Sequence, residues 1–201
     1  MSDAAVAAHG LEQHHTSTGL NSRKMLFWSF LGSECMFFGS LIATYLVYRG
    51  KSLVGPHPRE VLNIPFTSVS TFVLLMSSLT MVLALAAIQR GNIRDTRIWL
   101  AGTALLGMTF LGGQVYEFSH FYLVEHLATT TNLFGSTFFI LTGFHGTHVT
   151  VGVIWLWSLF VMTFTGKIKQ GRDLDVEIAG LYWHFVDVVW IAIFTLIYLI
   201  Q

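Results

Sequence analysis

Five ionisable side chains lie in stretches of the sequence that are otherwise almost entirely apolar. Carboxyl and imidazole groups can form hydrogen bonds between helices, hold and pass protons, or ligate a metal ion. Because placing such groups in an apolar environment is costly, each of them needs a partner or a function. The five residues are Glu34, His145, His148, His184 and Asp187.

The apolar stretches that hold these residues are long enough to cross a membrane. The chain has 201 residues, of which 53% are hydrophobic and 11% are charged, a balance outside the range of ordinary soluble domains. A helix needs about 20 largely apolar residues to span the hydrocarbon core of a bilayer. The sequence therefore predicts an all-α integral membrane bundle of five transmembrane helices. The predicted spans are 25–48, 64–89, 97–118, 133–164 and 178–200.

The spacing of the ionisable residues predicts that they meet inside this bundle. His145 and His148 are three positions apart, which places both on one side of their helix, and the same holds for His184 and Asp187. Glu34 and Asp187 match in depth, since each is about 13 Å from the start of its predicted span. We therefore predict one buried polar cluster that joins the first, fourth and fifth spans.

Three interpretations of this cluster are open from the residues alone. Hydrogen bonding that fixes the packing of the helices is favoured, because it satisfies every group in the cluster. A role in handling protons is the second interpretation. A metal site is the third and least favoured, because membrane di-iron enzymes use many more histidines than the three that lie in the membrane here.

Other polar and aromatic residues lie near the ends of the spans. Glu117 is at the outer end of the third span, where its carboxyl group can reach the membrane interface. Tryptophan and tyrosine near span ends are typical of an interfacial aromatic belt. The belt residues are Trp28, Tyr48, Trp99, Tyr116, Tyr182 and Tyr198.

Small and turn-forming residues indicate which helices are neighbours. The short turn QRGNIRDTR between the second and third spans requires these helices to be antiparallel neighbours. Gly91 and Asn92 are suited to ending one helix, and Asp95 or Thr96 to capping the next. The fourth span carries glycines at spacings that let helices approach closely. They are Gly135, Gly143, Gly146 and Gly152.

The distribution of lysine and arginine predicts the orientation of the bundle, because cytoplasmic segments retain more basic residues than external ones. Eight of the 11 basic residues fall on one predicted side of the membrane and three on the other. We therefore expect a cytoplasmic N-terminus and, since the number of spans is odd, an external C-terminus. The eight are Arg23, Lys24, Arg90, Arg94, Arg97, Lys167, Lys169 and Arg172, and the three are Arg49, Lys51 and Arg59.

The N-terminal segment differs in character from the rest of the chain. Residues 1–23 form a polar tail that we expect to be cytoplasmic and poorly ordered, and residues 24–201 form the transmembrane domain. The tail lacks the pattern of a signal peptide, so the first helix is expected to act as an uncleaved insertion signal. Cys35 is the single cysteine, which excludes an intramolecular disulfide.

Several motifs resemble those of subunit III of haem-copper terminal oxidases, in the short five-helix bacterial form. FWSFLGSECMFFGSLIATYLVYR is similar to the first helix of the five-helix core of that family. FGSTFFILTGFHGTHVTVGVIW and YWHFVDVVWIAIFTLIYL resemble its last two helices, and GQVYEF at 113–118 resembles the outer end of the helix before them. The resemblance extends from about residue 24 to the end of the chain.

The resemblance implies a subunit that holds no haem, copper or other metal and has no catalytic residue of its own. Its main contact would be the catalytic subunit I, which reduces oxygen and pumps protons, with subunit II and a small subunit IV as further partners. Longer members of the family have two additional N-terminal helices that complete a lipid-holding cleft. The lipid-binding residues of those two helices have no counterpart here. Binding of a phospholipid by this chain is left as an open question by the resemblance. No nucleic-acid partner is expected, and the expected location is the bacterial plasma membrane.

The resemblance also carries over particular residues. Glu34 corresponds to the family's intramembrane glutamate, and His145, His148, His184 and Asp187 belong to its most recognisable motifs. The outer-end motif contributes two further residues, which are Gln114 and Glu117.

Three functions are compatible with these observations, namely a subunit of a terminal oxidase, a membrane transporter and a membrane metalloenzyme. The motifs STFF, GFHGTHV and YWHFVDVVW are closer to the branch that oxidises cytochrome c, of the aa3 type, than to the quinol oxidases, which have a subunit of the same plan. A small stand-alone membrane transporter is a remote alternative, disfavoured because proline is absent from the interiors of the spans. A membrane metalloenzyme is the other alternative.

Overall fold

The computed structural model describes residues 22–51, 63–124, 132–166, 168 and 173–200. Residues 1–21 of the predicted tail at 1–23 lie outside the described residues, as do most residues of the first, third and fourth loops, and the last two residues of that tail already belong to the first helix. Within the described ranges the chain is entirely helical apart from turns, and five helices are long and apolar enough to cross a membrane, as predicted. The helices are α1 Ser22–Tyr48, α2 Ile64–Gln89, α3 Ile93–Leu123, α4 Leu133–Phe164 and α5 Leu174–Phe194, the last followed by a π-helical turn, Thr195–Leu199.

The bounds of α2 and α4 agree with the prediction, whereas α3 is longer at both ends and α5 begins earlier. The side chain of Asn92 accepts a hydrogen bond from the backbone N–H of Asp95 and so caps α3, a role predicted for Asp95 or Thr96. Gly91, at a φ of 76°, makes the turn that separates α2 from α3. Hydropathy identifies only the apolar part of a helix, so the predicted bounds leave out the polar first turns of α3 and α5.

The helices pack in an order that follows from their connections. The tight turn makes α2 and α3 antiparallel neighbours, as predicted. Their contact is the most extensive in the bundle, and α4 packs against α3. The last helix, α5, returns against both α2 and α4 and is the most deeply buried of the five. The first helix lies at the periphery, where it contacts α4 and, less extensively, α5.

Trp183 on α5 fills the centre of the bundle. A Cβ atom added to Gly107 on α3 would lie 2.6 Å from Cη2 of this indole, and one added to Gly152 on α4 would lie 2.9 Å from its Cε3. The indole N–H donates a hydrogen bond of 2.9 Å to Oγ of Ser77 on α2. Glycine is therefore required where α3 and α4 meet this ring, which confirms the prediction of close approach at Gly152.

One narrow stripe attaches α1 to the bundle. Leu31, Phe38 and Tyr45, spaced seven residues apart, are its buried residues. Most of its other side chains are exposed, for example Leu26 at 74% and Met36 at 79%. Exposed apolar area of this extent suits contact with lipid or with another membrane subunit.

Two ion pairs connect the first turns of α1 and α5. Arg23 lies 3.3 Å from the carboxylate of Asp175, and Lys24 contacts that of Glu177. These pairs place the beginnings of the first and last helices at the same end of the bundle, as an odd number of spans requires.

Candidate functional site

A glutamate and a histidine form a contact between α1 and α4. Oε2 of Glu34 lies 3.2 Å from Nε2 of His148, and both side chains are 18% exposed. Nδ1 of His148 lies 2.8 Å from the backbone oxygen of Phe144, one turn earlier on α4. Because a carbonyl oxygen can only accept, Nδ1 carries a proton and donates it to Phe144.

The remaining contact, between Glu34 and His148, therefore contains a single proton. With Nδ1 protonated, either Nε2 is unprotonated and the glutamic acid donates to it, or the histidinium donates to the carboxylate. The two states differ only in the position of this proton between Oε2 and Nε2. Either state supplies the one proton that a hydrogen bond between Oε2 and Nε2 requires.

Aromatic side chains enclose the histidine of this pair. The ring of Phe38 meets that of His148 edge-on, with centroids 5.0 Å apart, and the ring of Phe37 lies 6.4 Å away. The hydroxyl group of Tyr182 on α5 donates a hydrogen bond of 3.0 Å to the backbone oxygen of His148. Tyr182 is 4% exposed, so its predicted place in the interfacial belt is wrong.

The second polar group joins α2 to α5. Oγ of Ser78 lies 3.0 Å from Nδ1 of His184 and donates a hydrogen bond to Oδ2 of Asp187. Since the hydroxyl group has one proton and gives it to the carboxylate, its oxygen accepts the proton of Nδ1. His184 and Asp187 therefore share one side of α5, as their spacing predicts. Oδ1 of Asp187 is buried and has no hydrogen-bond partner among the described residues.

The prediction of one cluster that joins α1, α4 and α5 is wrong, because the residues separate into distinct groups. His145 and His148 are offset by about 60° around α4 at 3.6 residues per turn. This offset is enough to turn His148 toward α1 and His145 toward the core. The ring of His145 stacks on the indole of Trp190, with centroids 4.9 Å apart, and meets the edge of Phe110. Neither of its nitrogens has a hydrogen-bond partner among the described residues.

The third polar group lies near the other end of α5. One carboxylate oxygen of Glu117 accepts hydrogen bonds from the hydroxyl groups of Thr67, at 2.9 Å, and Tyr198, at 3.0 Å. Glu117 is 5% exposed and Tyr198 is fully buried, so both side chains face the interior of the bundle. Tyr198 belongs to the π-helical turn, a deviation from α-helical geometry that is frequent at functional sites.

Gln114, the other residue of the outer-end motif, has separate surroundings. It lies one turn before Glu117 on α3 but faces α4, where a Cβ atom on Gly146 would lie 3.5 Å from its Oε1. The structure therefore does not bring together the two residues of this motif. In the described parts of the chain no three histidine, cysteine or acidic side chains are grouped so that they could hold a metal ion.

Comparison with known proteins identifies the family. A family model described as "Cytochrome c oxidase subunit III" matches residues 3–201. The chain belongs to this family. It is 36% identical over 201 residues to cytochrome c oxidase subunit 3 of Alkalihalophilus pseudofirmus, covering 99% of this chain and 98% of the relative. It is 40% identical over 173 residues to quinol oxidase subunit 3 of Bacillus subtilis, with 86% and 84% covered. It is 34% identical over 199 residues to cytochrome bo(3) ubiquinol oxidase subunit 3 of Pseudomonas aeruginosa, with 99% and 94% covered.

The chain is therefore subunit III of a haem-copper oxidase and a multi-pass membrane protein. Membership of the subunit III family confirms the resemblance found in the sequence and removes the reason to consider a stand-alone transporter. The two C-terminal motifs that carry the resemblance contain the histidines of α4 and α5 and the aspartate of α5.

Sequence reasoning missed the hydroxyl partners of the acidic residues. Ser78 and Thr67 are two of the seven serine and threonine residues of α2, and this number of hydroxyl side chains in one span is the signal that could have pointed to α2 as a source of hydrogen-bond partners. Tyr198 gave no such signal, because a tyrosine near the end of a span is equally typical of a belt residue.

Proposed function

We propose that this subunit III packs on the catalytic subunit I of a proton-pumping terminal oxidase that takes electrons from cytochrome c. It holds no haem or copper itself and is inactive when isolated. Its function is to stabilise the complex, maintain its lipid environment and support proton uptake. The observation that carries this proposal is that three polar groups inside the spans join helices to one another, α1 to α4, α2 to α5, and α2 and α5 to α3.

The supporting role in proton uptake rests on the pair formed by Glu34 and His148. Its single shared proton lies between two side chains that are each 18% exposed, at the edge where the peripheral α1 meets α4. A group that holds one proton near the surface of the subunit can buffer a neighbouring uptake path without being part of the oxygen chemistry. Subunit I remains the site of pumping.

Cytochrome c is favoured as electron donor by the motifs of α4 and α5, and quinol is the second candidate because relatives named quinol oxidase subunit 3 are equally similar. The test uses the complex purified through a tag on this chain. We expect it to consume oxygen with reduced cytochrome c as donor, in the absence of added quinol. Oxygen consumption with a quinol but not with reduced cytochrome c would show that the quinol candidate is correct.

We further propose that the N-terminus faces the cytoplasm of the bacterium, with the plasma membrane as the location. The excess of basic residues on one side supports this orientation, and the pairing of Arg23 and Lys24 with the start of α5 places that end of both helices on the same side. Alkaline phosphatase fused after Arg172 should be inactive, and the same enzyme fused after Gln201 should be active. The opposite pattern would reverse the orientation.

A further inference from the structure

An open groove runs between α3 and α4 on the outer surface of the bundle. Its volume is about 340 Å³. Small residues of α4 form one wall, and the amide side chain of Gln114 on α3 belongs to the other. The residues that decide what the groove can bind are Gln114, Gly143, Gly146, Thr147, Thr150 and Val151.

Gln114 is the unusual residue in this groove. It is 6% exposed, and it makes no hydrogen bond to any residue that the structure describes. Its amide lies beside Gly146, the fourteenth residue of the 32-residue α4 and so near the middle of that span. At that depth the bilayer supplies no water, and an amide group without a hydrogen-bond partner is strongly unfavourable in hydrocarbon.

The other polar groups of the groove are already used. The hydroxyl of Thr147 donates to the backbone oxygen of Gly143 at 2.9 Å, and that of Thr150 donates to that of Gly146 at 2.8 Å. Because both hydroxyl groups donate to backbone oxygens of α4 itself, the surface that α4 presents to the groove consists of small side chains whose donors are already used. Gly143 adds to this surface, since no atom lies within 4 Å of a Cβ built on it.

We propose that this groove binds a transmembrane helix of another subunit of the oxidase, which supplies a hydrogen-bonding group to Gln114. Small residues allow the backbones of two membrane helices to approach closely, and polar side chains then hydrogen-bond across the contact. A lipid acyl chain fits the groove in shape but offers nothing to the amide. This inference rests on the proposed function, because it requires a complex with other membrane subunits.

Photochemical cross-linking in the assembled complex identifies the occupant. A benzophenone amino acid replaces Thr147 in the groove, and in a control complex it replaces Thr109, an exposed threonine of α3 outside the groove. We expect a covalent product between this chain and another oxidase subunit from position 147 and none from position 109. A product that contains only lipid, a product with a second copy of this chain, or no polypeptide product from position 147 would overturn the proposal.

A matched pair of glycine substitutions tests the same contact independently. Gly143→Leu fills the groove, and Gly112→Leu places the same side chain on α3 outside it; neither position has an atom within 4 Å of an added Cβ. We expect Gly143→Leu to lower at least tenfold the amount of this chain retained on a tagged copy of the subunit that is cross-linked from position 147, and Gly112→Leu to leave it unchanged. Equal retention of the two variants would contradict the docking of a helix, while failure of the unaltered chain to bind subunit I would overturn the proposed function as well.

Discussion

Replacing Asp187 with leucine is expected to weaken assembly of the oxidase more than it changes electron transfer. Asp187 is 3% exposed and accepts a hydrogen bond from Ser78, whose oxygen in turn accepts from His184. Leucine removes the acceptor of the Ser78 hydroxyl proton, so that only the contact with His184 still joins Ser78 to α5. Loss of one partner of a buried neutral hydrogen bond costs about 1–3 kcal/mol.

The matched control for this substitution is Asp187→Asn. The asparagine has nearly the same volume and keeps an oxygen that can accept from Ser78, so its complex should assemble almost as well as the unaltered one. The measurement is the thermal stability of the purified complex, followed by the release of this chain, together with its rate of oxygen consumption. Unchanged thermal stability of the Asp187→Leu complex would show that the contact between α2 and α5 does not stabilise the bundle.

Two substitutions of Glu34 separate packing from proton chemistry. Glu34→Gln keeps the shape and an N–H group that can donate to the unprotonated Nε2 of His148, whose other nitrogen is occupied by the backbone of α4. It removes the proton that the pair can exchange. Assembly and oxygen reduction should therefore be near normal, while proton-uptake kinetics or durability during turnover should change. Glu34→Ala removes the contact altogether. The loss of a partner for a buried group costs about 1–3 kcal/mol of stability, so less of the complex should assemble.

Oxygen consumption, haem spectra and proton uptake in a stopped-flow experiment distinguish these outcomes. If the Glu34→Gln complex were fully assembled with normal haem spectra but could not reduce oxygen, Glu34 would take part in catalysis directly. The division of functions between subunit III and the catalytic subunit would then be wrong. A Glu34→Ala complex as stable as the unaltered one would show that the contact with His148 does not stabilise the junction of α1 and α4.

The number of helices and their positions along the chain could be predicted from the sequence, because hydropathy and length are local properties of each span. The turn at Gly91 also fixed the pairing of α2 with α3. The exact partners of the buried polar residues could not be predicted in the same way. They depend on the rotation of each helix, and a difference of about 60° separates residues three apart on α4. His145 and His148 accordingly face different helices.

The contact of Glu117 shows a second limit. Its carboxylate is buried by Tyr198, which reaches it from the π-helical turn at the end of α5. A π-helical turn shifts the residues after it around the helix axis and has no signature in hydropathy. The placement of His184 and Asp187 on one side of α5 was predictable, because both residues lie within one regular stretch of that helix. The partner of that pair, Ser78, comes from α2 and required the packing of the two helices to be known.

The haem and copper content of the complex and of the separated chain tests the central claim, that this chain is a subunit without a redox centre in a haem-copper oxidase. The complex is purified through a tag on this chain, and the chain is then separated from the other subunits in mild detergent. We predict haem and copper in the complex together with a larger subunit, and neither in stoichiometric amount on the separated chain. Stoichiometric haem or transition metal that stayed on the separated chain would contradict this claim, and so would purification of this chain without any haem-containing partner.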